Sequence, residues 1–118
     1  MKWRRGDVVL CRVPMPSTQL QQFKLRPAVI ISADRLNQVL EDLMVVPCTS
    51  NTNRHLTATQ YPIAGDEIIN AGIRVESIIR CESIFTLNQS MILRKLGFLS
   101  SETISHVNLC LQIALQLI

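Results

Sequence analysis

The last eighteen residues, SETISHVNLCLQIALQLI (101–118), constrain the fold more than any other segment. Ser105, Asn108, Gln112 and Gln116 recur at steps of three, four and four, which draws one narrow polar stripe along a helix. Ile104, Val107, Leu111, Leu115 and Ile118 run down an apolar face. Ser100 or Ser101 is suited to cap the N-terminus, and Glu102 suits the positive end of the helix dipole. A helix this apolar needs cover on most sides. The spacing therefore predicts a helix over 101–118 that packs on a sheet and can also contribute to a dimer.

The remainder of the chain supplies short sheet-forming segments. VVLCRV (8–13), PAVIIS (27–32) and LMVVPC (43–48) read as strands, the second apolar throughout and so buried on both faces. ADRLNQVLED (33–42) has room for one or two helical turns, TATQYP (57–62) alternates weakly as an edge strand, and AGD (64–66) is a turn. IRVESIIRCESIFT (73–86) reads as one long or bent strand and MILRKLG (91–97) as another. Five or six short strands with a terminal helix place the chain in the α+β class, as a small, strongly curled, partly closed barrel. With 118 residues and no linker or repeat, one domain spanning 1–118 is expected. The polar loop PMPSTQLQQFKL (14–25) is long for such a unit, and long loops are disproportionately functional.

Composition removes whole classes of function. Apolar residues make up 47%, too many for a disordered chain, while aromatics at 4% are too few for a base-stacking platform. Apolar runs fall short of the roughly 18–20 residues that span a bilayer, and the N-terminus lacks the apolar region and cleavage site of a signal peptide. Cys11, Cys48, Cys81 and Cys110 form no CxxC pair and read as buried, reduced thiols, so the cytoplasm is the expected compartment. Only His55 and His106 are present, and the carboxylates are scattered, which leaves no two-histidine nuclease, no metal motif and no cofactor loop to expect. Charge is uneven: residues 1–54 carry eight Lys/Arg against four acids, and residues 55–118 carry four against five. Polyanion binding through the first half is one reading, and an ordinary solvated surface is the other.

Three local patterns remain. Lys24-Leu25-Arg26-Pro27 sets two cations where the long loop meets a buried strand, its backbone stiffened by the proline. Pro47-Cys48-Thr49-Ser50-Asn51-Thr52-Asn53 offers hydroxyls, amides and N–H groups at a strand end, though such residues also simply make turns. Arg80-Cys81-Glu82, read as strand, projects Arg80 and Glu82 from one face roughly 6.5–7 Å apart, with Cys81 toward the core. A weak surface ion pair is the plainer account of that last pair.

Taken in order, RRGDVVLCRVP, KLRPAVIIS, VVPCTSN, IIRCESIFTL and MILRKLGFLS resemble the MazF/PemK (Kid) family of toxin–antitoxin ribonucleases from about Arg5 to the C-terminal helix. The resemblance implies an SH3-like curled antiparallel β-barrel with a C-terminal helix, acting as a homodimer. It implies a metal-independent endoribonuclease, without cofactor, that cuts single-stranded mRNA at short sequences. A cognate antitoxin protein neutralises such a toxin, and operator DNA is met only through the antitoxin complex. By position the family's functional arginine falls on Arg26 and its threonine on Thr49. The Arg-x-Asp pair of the PemK/Kid branch falls on Arg80 and Glu82, with Glu in place of Asp. Gln21, Gln22, Lys24, Ser50, Asn51 and Arg74 are the corresponding candidates for RNA contact.

Those residue types suit cleavage by the substrate's own 2′-hydroxyl, which needs a base and cations for the extra phosphorane charge. Glu82 is the carboxylate placed to be the base, Arg26 and Arg80 hold phosphate, and Thr49 donates a further hydrogen bond. The leaving 5′-oxygen also needs a proton, for which the family reading assigns an arginine; Arg80 ranks first as an electrostatic stabiliser and second as that proton donor, because a guanidinium gives up its proton reluctantly. One departure stands out: the loop before Arg26 reads STQLQQFKLRP, without the Gly, Glu or His usual in the family. Weak activity or altered base preference would follow. Two other readings stay open, a gyrase-poisoning toxin of the CcdB type and a binding-only relic that serves as antitoxin partner and operator co-repressor.

Overall fold

The computed structural model describes residues 3–14, 22–53 and 55–118. Seven strands form an antiparallel sheet: β1 (Asp7–Pro14), β2 (Phe23–Ile30), β3 (Asp42–Thr49), β4 (Gln60–Ile63), β5 (Ser77–Arg80), β6 (Phe85–Asn88) and β7 (Ile92–Phe98). Three helices accompany them: α1 (Asp34–Val39), α2 (Glu67–Ala71) and α3 (Ser101–Ala114). The sheet runs β4-β5-β3-β2-β1-β7, and β6 pairs with the other stretch of the β3 edge that β5 occupies. Among the described residues no ladder joins β4 to β7, so the sheet curls without closing.

Consecutive residues of the central strands serve two different cores. Val8, Val29, Val46, Cys48 and Ile79 face a cluster completed by Val107, Cys110 and Leu111 of α3. Val9, Cys11, Ala28, Ile30 and Val45 face the second, with Trp3, Leu43 and Leu87. The cross-strand pairs Val8↔Val29 and Val29↔Val46 belong to the first cluster, and Val9↔Ala28 and Ile30↔Val45 to the second. That is why these strands read as continuous apolar runs rather than alternating ones. Strands β1 to β5 all contribute side chains to the cluster that α3 completes.

The helix on 101–118 forms, but ends at Ala114. Ser100 is its N-cap and accepts from the Thr103 N–H. Gln116 adopts a left-handed φ of 57°, the Leu117 N–H bonds to Gln112 O and the Gln116 N–H to Ile113 O. This is the paired closure of a Schellman motif, achieved without the usual glycine. The helix α2 was not expected; at five residues it is too short to leave a periodicity, and its one signal is Gly72, left-handed at φ 72°. The edge strand expected at 57–62 is β4, at 60–63.

The long strand expected over 73–86 is instead two strands and a turn. Between the pairs Cys48↔Ile79 and Val45↔Phe85, β3 advances by three residues while its partner advances by six. The three extra residues form the turn after Arg80, and this turn carries Glu82. The β2 strand begins at Phe23, so part of the loop expected at 14–25 is strand. All four cysteines are free and buried.

Candidate functional site

One cavity of about 380 Å³ gathers most of the basic candidates. Its wall includes Lys24, Arg26, Ser50 and Arg74, together with Arg94, which no sequence motif singles out. Lys24 and Arg26 come from the outer half of β2, Ser50 from the end of β3, Arg74 from the segment after α2, and Arg94 from β7. The pairing Leu10↔Arg94 and Leu10↔Pro27 brings β7 and β2 to the same place. Among the described residues, no hydrogen bond or ion pair engages the head groups of Lys24, Arg26, Arg74 or Arg94. No carboxylate stands in the wall. Four uncompensated cations around one concavity make an anion site.

Strand register relates the remaining residues to it. Continuing the β2–β3 ladder from Ala28↔Pro47 by two residues sets Arg26 across from Thr49, and Thr49 pairs with Ile78. Arg80 lies two residues from Ile78, on the same side of the pleat. Arg26, Thr49 and Arg80 therefore share the sheet face opposite α3, with the backbones of Arg26 and Arg80 about 12 Å apart. Thr49 Oγ1 accepts from the Asn51 N–H at 3.2 Å, and Asn51 Oδ1 from the Asn53 N–H at 3.4 Å. These bonds make the strand end into consecutive turns and leave the Thr49 hydroxyl proton available.

The expectation that Arg80 and Glu82 project from one strand is corrected. Glu82 lies in the turn beyond β5, which swings its carboxylate back to Arg80, with Nε to Oε2 at 3.2 Å. Two residues that the sequence did not suggest complete the group. Thr59 Oγ1 donates to Glu82 Oε1 at 3.0 Å, and Gln60 Nε2 donates to Oε2 at 2.9 Å. Gln60 opens β4 and pairs with Arg80. Burial raises the Glu82 carboxyl, but hydrogen bonds from Gln60, a backbone N–H, Thr59 and Arg80 outweigh it and hold it below its ordinary value. Glu82 is therefore ionised at neutral pH.

The cysteines beside these residues are not nucleophiles. Burial pushes Cys48, next to Thr49, and Cys81, between Arg80 and Glu82, each up to about 12. Gln22 is exposed just before β2, and Gln21 lies outside the described residues. His106 is exposed, yet stacks on Tyr61 with ring centroids 4.5 Å apart.

Comparisons with known proteins agree on one family. The model for PemK-like, MazF-like toxins of type II toxin–antitoxin systems matches residues 4–115. The endoribonuclease MazF of Staphylococcus saprophyticus is 32% identical over 114 residues, covering 97% of this chain and 92% of that protein. A mycobacterial endoribonuclease in complex with its cognate antitoxin superposes with a TM-score of 0.79 at 22% identity, covering 98% of this chain and 97% of its own. A MazE–MazF complex from Deinococcus radiodurans gives 0.77 at 17% identity, covering 100% and 99%.

Proposed function

Because the chain belongs to the family of PemK-like, MazF-like toxins of type II toxin–antitoxin systems, we propose that it is an endoribonuclease whose anion cavity and Arg80–Glu82 pair act on single-stranded RNA. The observation that carries this reading is the group of four cations, Lys24, Arg26, Arg74 and Arg94, unpartnered among the described residues, around one cavity on a fold of this family. They hold successive phosphates of a flexible strand. Ser50 and the free hydroxyl proton of Thr49 add neutral donors.

The chemistry is attack of a ribose 2′-oxygen on the adjacent phosphorus. Glu82, ionised, takes the 2′-hydroxyl proton; the new P–O2′ bond forms as the P–O5′ bond breaks, and the departing 5′-oxygen takes up a proton from Arg80 or from water. Arg26 and Arg80 stabilise the added charge of the phosphorane. The products carry a 2′,3′-cyclic phosphate and a 5′-hydroxyl. DNA is spared because it lacks the attacking oxygen. Among the described residues no three His, Cys, Asp or Glu side chains come together.

Leu109 and Ile113 of α3, Leu115 just beyond it, and Leu93 and Phe98 of β7 remain exposed, and these apolar side chains support a homodimer. A cognate antitoxin binds the basic surface and neutralises the toxin, and operator DNA is contacted only through that complex. No described helix is long and apolar enough to cross a membrane, and the toxin acts in the cytoplasm. Incubation with a long single-stranded RNA in excess EDTA, with end-group analysis, tests the reading. Discrete cuts with cyclic-phosphate ends are expected, and Arg26→Ala and Glu82→Gln abolish them while leaving the far-ultraviolet circular dichroism spectrum unchanged. Intact RNA from folded, antitoxin-free wild type refutes it.

A further inference from the structure

We infer that Thr59 and Gln60 are positioning residues, which clamp the Glu82 carboxylate and through it aim the Arg80 guanidinium. The effect on activity rests on the endoribonuclease reading; the clamp itself rests on geometry alone.

A carboxylate in a turn has no strand to orient it, and the three rotatable bonds of a Glu side chain leave it many positions. Here both oxygens are occupied. Oε1 accepts from Thr59 Oγ1, and Oε2 accepts from Gln60 Nε2 and Arg80 Nε. A threonine hydroxyl has one proton, and that of Thr59 goes to Glu82. The 3.1 Å contact between Thr57 Oγ1 and Thr59 Oγ1 therefore runs from Thr57 as donor, so a short chain of hydroxyls ends on the carboxylate. On the other side, Glu82 meets Arg80 through Nε alone. Of the five guanidinium donors only that one is committed to the pair, and the terminal nitrogens are left to face a phosphate.

The main chain ties the same residues independently of these side chains. The Cys81 N–H donates to the Thr59 carbonyl at 3.0 Å, the Ser83 N–H donates to the Arg80 carbonyl at 3.1 Å, and Gln60 pairs with Arg80 in the ladder. Removing the Thr59 hydroxyl or the Gln60 amide thus releases the carboxylate without releasing the turn. The titratable groups near Glu82 are Arg80 on β5, Cys81 in its own turn and Cys110 on α3. Burial raises both thiols, so neither ionises in the acid range and a titration there belongs to the carboxyl. His106 stacks on Tyr61, which follows Gln60 and so points to the opposite face of β4.

The test compares wild type with Thr59→Val, Thr59→Ser and Gln60→Met. Carbon-13 NMR titration of the Glu82 carboxyl is one readout, and the pH profile of kcat and KM on a long single-stranded RNA is the other. Thr59→Val and Gln60→Met each raise the Glu82 midpoint and move the acid limb of kcat the same way. Each lowers kcat by between about tenfold and a hundredfold with KM little changed, the signature of a misplaced group rather than a lost binding contact. Thr59→Ser, which keeps the hydroxyl, retains the wild-type midpoint and rate. A Glu82 midpoint unmoved in both Thr59→Val and Gln60→Met overturns the clamp, as does Thr59→Ser behaving like Thr59→Val. If wild type leaves RNA intact, the endoribonuclease reading falls while the NMR titration still decides the clamp.

Discussion

Arg94→Ala tests whether the cavity holds RNA, because Arg94 is exposed on β7, makes no ion pair among the described residues and enters the site only through sheet register. Each phosphate neutralised on a single strand contributes about −0.7 to the slope of log K against log salt. Four uncompensated cations, Lys24, Arg26, Arg74 and Arg94, give a slope of about −2.8. Raising salt from 50 to 200 mM then weakens wild type about 50-fold, and Arg94→Ala, at a slope of about −2.1, about 20-fold. Arg80 already faces Glu82, so it adds little to this sum. Glu82→Gln uncovers it and steepens the slope by up to about 0.7. The assay is fluorescence anisotropy with a short 2′-O-methyl oligonucleotide, which binds but has no free 2′-hydroxyl to attack. A wild-type slope shallower than about −1 refutes the reasoning, as does Arg94→Ala weakening binding by one factor at every salt concentration.

Other perturbations probe the scaffold. Gly72→Ala asks a residue at φ 72° to place a Cβ 1.9 Å from the Leu96 carbonyl oxygen; chemical denaturation should show a loss of at least about 3 kcal/mol. Gln116→Gly relieves a left-handed residue at the closure of α3 and should stabilise by about 0.5–1 kcal/mol, read as a melting temperature a few degrees higher. Cys11, Cys48 and Cys81 are held neutral in the fold, at about 11, 12 and 12, while their solvated counterparts in the unfolded chain ionise near 9.0. The unfolded state therefore loses these protons first as pH rises. Stability from these groups is intact below about pH 8 and falls between about pH 9 and 11 by about 3 kcal/mol per pH unit. Cys48→Ala should remove about a third of that dependence in urea titrations at pH 8 to 10.5, and a stability flat over that range would contradict the burial argument.

How much of this could be read from the chain varies residue by residue. Strands facing two cores were legible because runs such as PAVIIS contain no polar alternation. The helix at 101–118 was legible from its stripe, but its end was not, since Gln116 does the work of a glycine. Arg80 and Glu82 were expected together for the wrong geometric reason: their meeting depends on three extra residues in a turn, which show only once β3 is aligned with its partners. Arg94 and Gln60 were missed because each acquires its place through a distant pairing, Leu10↔Arg94 and Gln60↔Arg80, and no local pattern marks such a register. Thr59 looked like any residue of a weak edge strand.

The two-sided burial of the central strands has an evolutionary corollary. Val8, Val9, Ala28, Val29, Ile30, Val45 and Val46 have no free face, so no recognition side chain can be recruited from them without damaging a core. The polar group of Thr49, Gln60, Arg80 and Glu82 is accordingly drawn from strand termini and a turn, for Thr49 closes β3, Gln60 opens β4, Arg80 closes β5 and Glu82 follows it, while the cavity cations Arg26 and Arg94 stand in the less buried stretches of β2 and β7. Scaffold and reading head are thus encoded by different residues. Substitutions that retarget the rim leave the folding determinants untouched, so such a lineage can drift in what it recognises without first accumulating spare stability.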